Sequence, residues 1–304
     1  MRRLWAAADR VRHAADARVA GGADRGDVRS GHPDEPGQLL LPLMPAAASI
    51  LVARDQSIVT VTLNRPERRN ALNRTAWQRL ATVFAELSAD NTVRCVVLRG
   101  AGGEAFGTGA DIYEFDSERN DSAQAAAYGR DVAAAMGAID AGVHPTIALI
   151  EGLCVGGGLE VACACDLRIC GASSRFGIPV NSLGLTMAYD ELRALLSVVS
   201  APVAKEILFS GELFDAQRAL QMNLVNRVVD DAGVEEEAYG LAARIAAGAP
   251  LVNRWHKKFI ARLADPTPLS TAELAEGYAA FDSEDFQRGY RAFLGKTEPE
   301  FEGD

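Results

Sequence analysis

No stretch of the 304-residue chain approaches the ~18 uninterrupted apolar residues of a membrane-crossing helix, so a membrane span is not expected. Basic residues are in deficit. Lys and Arg number 31 against 41 Asp and Glu, a formal charge of −10, which disfavours a general polyanion-binding surface and makes nucleic acid an unexpected partner. Cysteine is sparse and odd in number at five, without a secreted-type spacing, so reduced thiols and a cytoplasmic location are expected rather than a disulfide framework. There are four histidines: His13 and His32 lie near the start, His144 before Pro145 is expected to end the preceding helix, and His256 stands beside Lys257. No G-x-S-x-G elbow and no Ser/His/Asp order is present, which removes the standard serine-hydrolase route. Cys163, Cys165 and Cys170 lack C-x₂-C spacing and have no histidine near them, so they read as buried thiols and no metal site is expected. What the chain does have is 48% hydrophobic residues, enough for a soluble fold with a large core.

Residues 1–46 differ in kind from the rest, being rich in Ala, Arg, Gly and Asp and closing on Pro33, Pro36, Pro42 and Pro45. They read as a disordered or loosely packed extension, with a short helix over Trp5 to Val19 as the alternative; Asp9 and Arg10 break a signal-peptide reading. The remainder is expected as a core over 47–248 and a helical region over 249–304. Residues 50–54 and 57–63 alternate and are β-branched, predicting a hairpin turning at Asp55-Gln56. Asn73 is a natural N-cap for an amphipathic helix carrying Ala76, Trp77, Leu80, Val83, Phe84 and Leu87. Strands are predicted at Val93–Arg99, Thr146–Ile150, Asp166–Cys170 and Val225–Val229, with a helix near 121–141 and helices from about 188 onward. Helices between strands give an α/β fold class, with functional loops at strand ends.

Two glycine-rich turns follow two of these strands: Gly100-Ala-Gly-Gly-Glu-Ala-Phe-Gly-Thr-Gly-Ala-Asp111 and Gly152-Leu-Cys-Val-Gly-Gly-Gly-Leu-Glu160. Three consecutive glycines are costly in a regular element, so a bare backbone must be needed there. Leu159, Val161, Ala162 and Ala164 favour a short helix whose N-terminal N–H groups can hold an oxyanion, and Glu160 in its first turn is a candidate base, or else a structural helix-start carboxylate. A second N–H group from the Phe106–Asp111 turn would complete a pair. Loss of one donor of such a pair typically costs ~3–4 kcal/mol of transition-state stabilisation.

The order Leu63-Asn-Arg-Pro-Glu-Arg-Arg-Asn-Ala-Leu72, Ala105-Phe-Gly-Thr-Gly-Ala-Asp111, Gly156-Gly-Gly-Leu-Glu160, Cys165-Asp-Leu-Arg168 and Phe176-Gly177 resembles the crotonase (enoyl-CoA hydratase/isomerase) superfamily over roughly residues 50–301. The resemblance implies a spiral of ββα units with a C-terminal helical trimerisation region, and a homotrimer or dimer of trimers. It also implies an acyl-CoA thioester substrate and no cofactor besides the coenzyme A that the substrate carries. Carried across by position, the oxyanion N–H groups fall on Ala110 and Gly157 and the first catalytic glutamate on Glu160. The coenzyme A would run along the main chain of Arg69, Ala71 and Leu72 and of Gly109 to Asp111. Lys257 matches a position that can meet a CoA phosphate, its own or a neighbouring subunit's. The basic cluster Arg65, Arg68, Arg69 and Arg74 is read toward the same phosphates.

One departure stands out. Where hydratases of this superfamily place a second glutamate after Phe-Gly-x-Pro, this chain has Val180, and the later Pro-Gly-x-Gly-Gly turn is replaced by Met187-Ala-Tyr-Asp-Glu191. Hydration needs a base for water and an acid for the α-carbon. Glu160 must therefore serve both, or Asp190 or Glu191 must reach in; helix-start charge is the alternative role for that pair. The expected activity is hydration of a 2-enoyl-CoA. The alternatives are an acyl-CoA decarboxylase, isomerase or thioesterase of the same superfamily, or a catalytically impaired acyl-CoA-binding homologue. Gly100-Ala-Gly-Gly-Glu-Ala105 formally satisfies a dinucleotide fingerprint, but Phe106-Gly-Thr-Gly109 keeps breaking the chain where that motif needs a helix.

Overall fold

Alternating β-branched residues in Ile58–Leu63 bury every second side chain, Val59, Val61 and Leu63, against the interior. In the computed structural model, which describes residues 48–304, this strand (β2) pairs antiparallel with Ile50–Asp55 (β1). The turn falls one residue later than the pattern predicts. Asp55 still pairs with Ile58, and Gln56, at φ 52°, takes the left-handed corner with Ser57. The expectations for residues 1–46 lie outside the described residues.

Cys95–Gly100 (β3), Thr146–Ile150 (β5), Leu167–Gly171 (β7) and Arg227–Val229 (β10) extend β2 into a six-stranded sheet ordered β1-β2-β3-β5-β7-β10, parallel from β2 onward. Strands β3, β7 and β10 begin one or two residues later than their apolar runs suggest. A second sheet is built from very short strands, Ala105–Gly107 (β4), Leu153–Val155 (β6), Arg175–Gly177 (β8) and Phe214–Asp215 (β9), ordered β4-β6-β8-β9. Each of β3, β5 and β7 is thus followed by a short strand of the second sheet, and the pattern recurs along the chain as an α/β coil.

The long parallel strands read as continuous apolar runs because both faces are covered. On β3, Val96 and Leu98 join the large core, whereas Cys95 and Val97 face a smaller one closed by Val234, Ala238 and Ala242 of the helix Val234–Ala247. The large core takes in Ala76, Trp77, Leu80, Val83 and Phe84 of helix Arg74–Ser88 (α1), whose N-cap Asn73 accepts from the Ala76 N–H at 2.9 Å. It also takes in Tyr128, Val132, Met136 and Ile139 of helix Ser122–Asp140 (α2), capped by Asp121, and Leu159, Val161, Ala162, Cys163 and Ala164 of helix Gly157–Ala164 (α3). Helix Tyr189–Val198 (α4) packs against α3. The described residues cluster as one compact unit.

His144 does not end its own preceding helix, which stops at Asp140. Its Nε2 bonds the carbonyl of Leu87 at the end of α1, 3.0 Å away, because the α2–β5 connection passes beneath that helix end. Burial, aided by the charge of Arg254, holds the imidazole below its usual pKa.

Candidate active site

The two glycine turns meet main chain to main chain. A Cβ on Gly158 would lie 2.2 Å from the Gly107 carbonyl oxygen, so this contact exists only because no side chain intervenes. Gly156 sits at φ 54°, ψ −129°, a conformation closed to L side chains, and its N–H bonds the carbonyl of Gly177 at 2.9 Å. That bond gives the Phe-Gly pair at 176–177 its role: it ties the second turn to β8. Gly109 lies over the same turn, with its Cβ direction 3.1 Å from the Gly157 nitrogen.

The first turn is held by Asn70, 1% exposed, whose Nδ2 donates to the carbonyls of Ala101 and Ala105 and whose Oδ1 accepts from the Arg65 N–H. Arg69 and Asn70 both adopt left-handed φ to turn that amide inward. Leu72 then bridges to Ala110 as a parallel pair, its N–H donating to the Gly109 carbonyl and its carbonyl accepting from Asp111 N. The stretches around Arg69–Leu72 and Gly109–Asp111, singled out separately in the sequence, are therefore neighbours. Ala110 N and Gly157 N, on either side of the Gly109 contact, donate to no protein acceptor among the described residues.

Gly157 is the first residue of α3 and Glu160 the fourth, so the carboxyl rises from the turn that ends at these free N–H groups. Trp77 of α1 packs beneath Gly157, its ring edge 3.1 Å from the Cβ direction. The other end of α3 is held by Arg168, nearly buried, which donates to the carbonyls of Ala162, Cys165 and Leu224, a cation at a helix C-terminus. Glu160 is 6% exposed and its carboxyl has no hydrogen-bond partner among the described residues. Burial, then the charge of Glu191, pushes its pKa up to about 8, with Arg119 pulling the other way.

Two charges are felt at this carboxyl, those of Glu191 and Arg119. The Tyr128 hydroxyl donates to the Leu72 carbonyl at 3.2 Å, and burial keeps the phenol protonated. Val180 presents hydrocarbon from the 3₁₀ turn Pro179–Leu183. Of the two acids after it, Asp190 is exposed and faces Arg193 at 3.8 Å. Glu191 is half-buried, accepts from the Ala188 N–H at 2.5 Å and is felt electrostatically at Glu160. The helix-start role expected for Glu191 is thus seen.

Within its own chain, Lys257 stands apart from this site. Its ammonium, 13% exposed, donates to Asp166 Oδ2 at 2.8 Å and the His144 carbonyl at 3.1 Å, at the end of the parallel sheet where β5 and β7 begin, whereas the glycine turns follow the strand ends. Asp166 holds it there through its own bonds to Thr146. Two arginines of the basic cluster are likewise engaged within the fold: Arg65 with Asp111 and the Ala71 carbonyl, Arg74 with Glu118 and Asp131. Arg68, stacked on Tyr113, and Arg69 remain exposed beside the turn. The sequence reasoning missed Asn70, Trp77, Tyr128 and Arg119. A polar residue between Arg69 and Ala71 was a signal for the first; nothing in spacing announced the others. Cys95, Cys154, Cys163, Cys165 and Cys170 are all buried free thiols with raised pKa, remote from thiolate chemistry. Among the described residues no cluster could hold a metal and no helix is long and apolar enough to cross a membrane.

Comparison with known proteins agrees with this architecture. The chain is similar to the short-chain-enoyl-CoA hydratase of Clostridium acetobutylicum, 30% identical over 83% of this chain and 97% of that protein, and to the (E)-benzylidenesuccinyl-CoA hydratase of Thauera aromatica, 34% identical over 81% and 96%. A solved structure of an enoyl-CoA hydratase/carnithine racemase from Magnetospirillum magneticum superposes with a TM-score of 0.83 at 49% identity, covering 84% of this chain and 96% of that one. The enoyl-CoA hydratase/isomerase family model matches residues 53–304. With the paired glycine turns, the buried glutamate and the coiled α/β frame accounted for, the chain belongs to the enoyl-CoA hydratase/isomerase family and has the crotonase fold.

Proposed function

We propose that the chain hydrates 2-enoyl-CoA thioesters. The observation that carries this reading is the contact of the two glycine turns beside a buried carboxyl, leaving the N–H groups of Ala110 and Gly157 free at the place where Glu160 is unbonded. The thioester oxygen accepts from both N–H groups, which favours the negatively charged enolate oxygen over the neutral ground-state carbonyl. Ionised Glu160 removes a proton from water as its oxygen bonds to the β-carbon, and the pair of electrons displaced from the double bond passes to the thioester oxygen. The same carboxyl then gives the proton to the α-carbon, so one residue performs both transfers that Val180 leaves unshared. Exposed Arg68 and Arg69 lie where the coenzyme's phosphates would run, and the C-terminal helices, with Ile260 71% and Phe293 82% exposed, supply the surface for assembly into trimers. Crotonyl-CoA tests the reading: absorbance of the conjugated thioester should fall on addition of enzyme, and Glu160→Gln should abolish that fall. An inactive wild type across acyl lengths removes hydration.

A second reading is favoured by Val180 together with the raised pKa of Glu160, which leaves that residue a neutral proton donor at pH 7. Decarboxylation of a 2-carboxyacyl-CoA needs the two N–H groups and one acid only. The bond from the α-carbon to the carboxylate breaks, its electrons form the enolate, and Glu160 protonates the carbon. Release of carbon dioxide from malonyl-CoA or methylmalonyl-CoA distinguishes it from hydration.

A further inference from the structure

Arg119 follows the short helix Phe115–Glu118, and its charge is felt at the Glu160 carboxyl. Its guanidinium lies over two rings, 4.9 Å from the centroid of Phe115 and 4.9 Å from that of Tyr128. Tyr128 in turn bonds the Leu72 carbonyl that also receives Asp111 N, so Arg119 lies one ring away from the strand bridge carrying Ala110. The residue is half-buried, and among the described residues it makes no ion pair, although acids surround it in the sequence. Those acids are turned elsewhere. Glu118 pairs with Arg74 at 2.7 Å, and Glu114 accepts from the Arg74 main-chain N–H at 2.8 Å, closing the N-terminal turn of α1. Asp131, on the same side of α2, is also taken by Arg74.

This arrangement separates two kinds of arginine. The Arg74 guanidinium is consumed by two acids, whereas Arg119 lies over two rings and its hydrogen-bonding edge is unspent among the described residues. A guanidinium held in this way presents paired in-plane donors suited to a planar carboxylate. We propose that Arg119 recognises a carboxylate on the acyl portion of the thioester, so that the preferred substrates are carboxylated acyl-CoA compounds rather than simple fatty acyl-CoA. The proposal rests on the acyl-CoA reading of the same site. It adds a substrate class to it.

The experiment is calorimetric titration of the full chain with unreactive, saturated thioesters, so that turnover is not required. Glutaryl-CoA is compared with butyryl-CoA; succinyl-CoA and adipyl-CoA vary the reach of the terminal carboxylate, and free coenzyme A is the reference. The wild type should bind at least one carboxylated thioester roughly tenfold or more tightly than butyryl-CoA, the range of a charge-assisted bidentate contact. Arg119→Met should bring that ratio to about one, and Arg119→Lys should retain part of it, since a point charge replaces the fork. Matching circular dichroism and melting of the variants guard against simple misfolding. A wild type without preference for any carboxylated thioester overturns the proposal, as does a preference that survives Arg119→Met. A shift in the Glu160 titration with the ratio unchanged also overturns it, reducing Arg119 to a counter-charge for Glu160. Failure to bind free coenzyme A or any thioester would sink the acyl-CoA reading itself, an outcome separate from lost discrimination.

Discussion

Replacing Glu160 by glutamine keeps the volume and removes a charge that the fold resists. The carboxyl is 6% exposed, lacks a hydrogen-bond partner among the described residues and has its pKa pushed from 4.5 to about 8, first by burial and then by Glu191. A group whose folded pKa lies above its unfolded value holds more protons when folded, so stability declines as pH rises between the two values. From 4.5 to 8 is ~3.5 pH units, and at ~1.4 kcal/mol per unit the ceiling is ~5 kcal/mol. The wild-type cost is almost nil at pH 4, ~3 kcal/mol at pH 7 and near the ceiling at pH 9. Glu160→Gln escapes it. The variant should therefore match the wild type near pH 4 and gain stability steadily above pH 5, while hydration falls by ~10²–10⁴-fold. Urea unfolding at fixed protomer concentration across that range measures the first effect, and crotonyl-CoA turnover the second. Equal stability differences at pH 5 and pH 8 would refute the claim that the carboxyl is held against its charge.

Four further outcomes follow from the same geometry. Glu191→Gln removes the neighbouring charge that raises Glu160, so the ascending limb of the pH–rate profile should move to lower pH; an unmoved limb would disconnect the two acids. Gly158→Ala places a methyl against the Gly107 carbonyl and should separate the turns, lowering turnover by ~10²-fold or more through misaligned donors, with CoA affinity less affected. Asn70→Ala strands the Arg65 N–H and two carbonyls, one of them in the buried interior, and should cost ~2–3 kcal/mol in unfolding experiments. Lys257→Met breaks the pair with Asp166 and should lower the melting temperature while leaving the dissociation constant for coenzyme A unmoved; a weakened constant would return Lys257 to the coenzyme site.

Much of the frame was legible because it is local. Asn73 caps α1, Thr146–Ile150 is a strand at its expected bounds, and the triple glycine begins a helix, each dictated by neighbours within a few residues. The second sheet was not, since strands of two or three residues such as Leu153–Val155 and Phe214–Asp215 carry no measurable periodicity. Side-chain partnership was harder still. Arg65, Arg74 and Arg119 look alike in sequence, yet tertiary packing gives the first two to carboxylates and the third to rings. Lys257 shows the same limit, because its partners Asp166 and His144 are about a hundred residues away.

The meeting of Gly107 with Gly158 is made wholly of peptide atoms, and so is the anchorage of Gly156 to Gly177. If the proposed reading holds, charge stabilisation at a thioester would be insulated from substitution of the side chains around it. On that reading, Arg119, Val180 and Glu191 could drift, changing which thioester is welcomed and which bond is broken, without disturbing the main-chain frame.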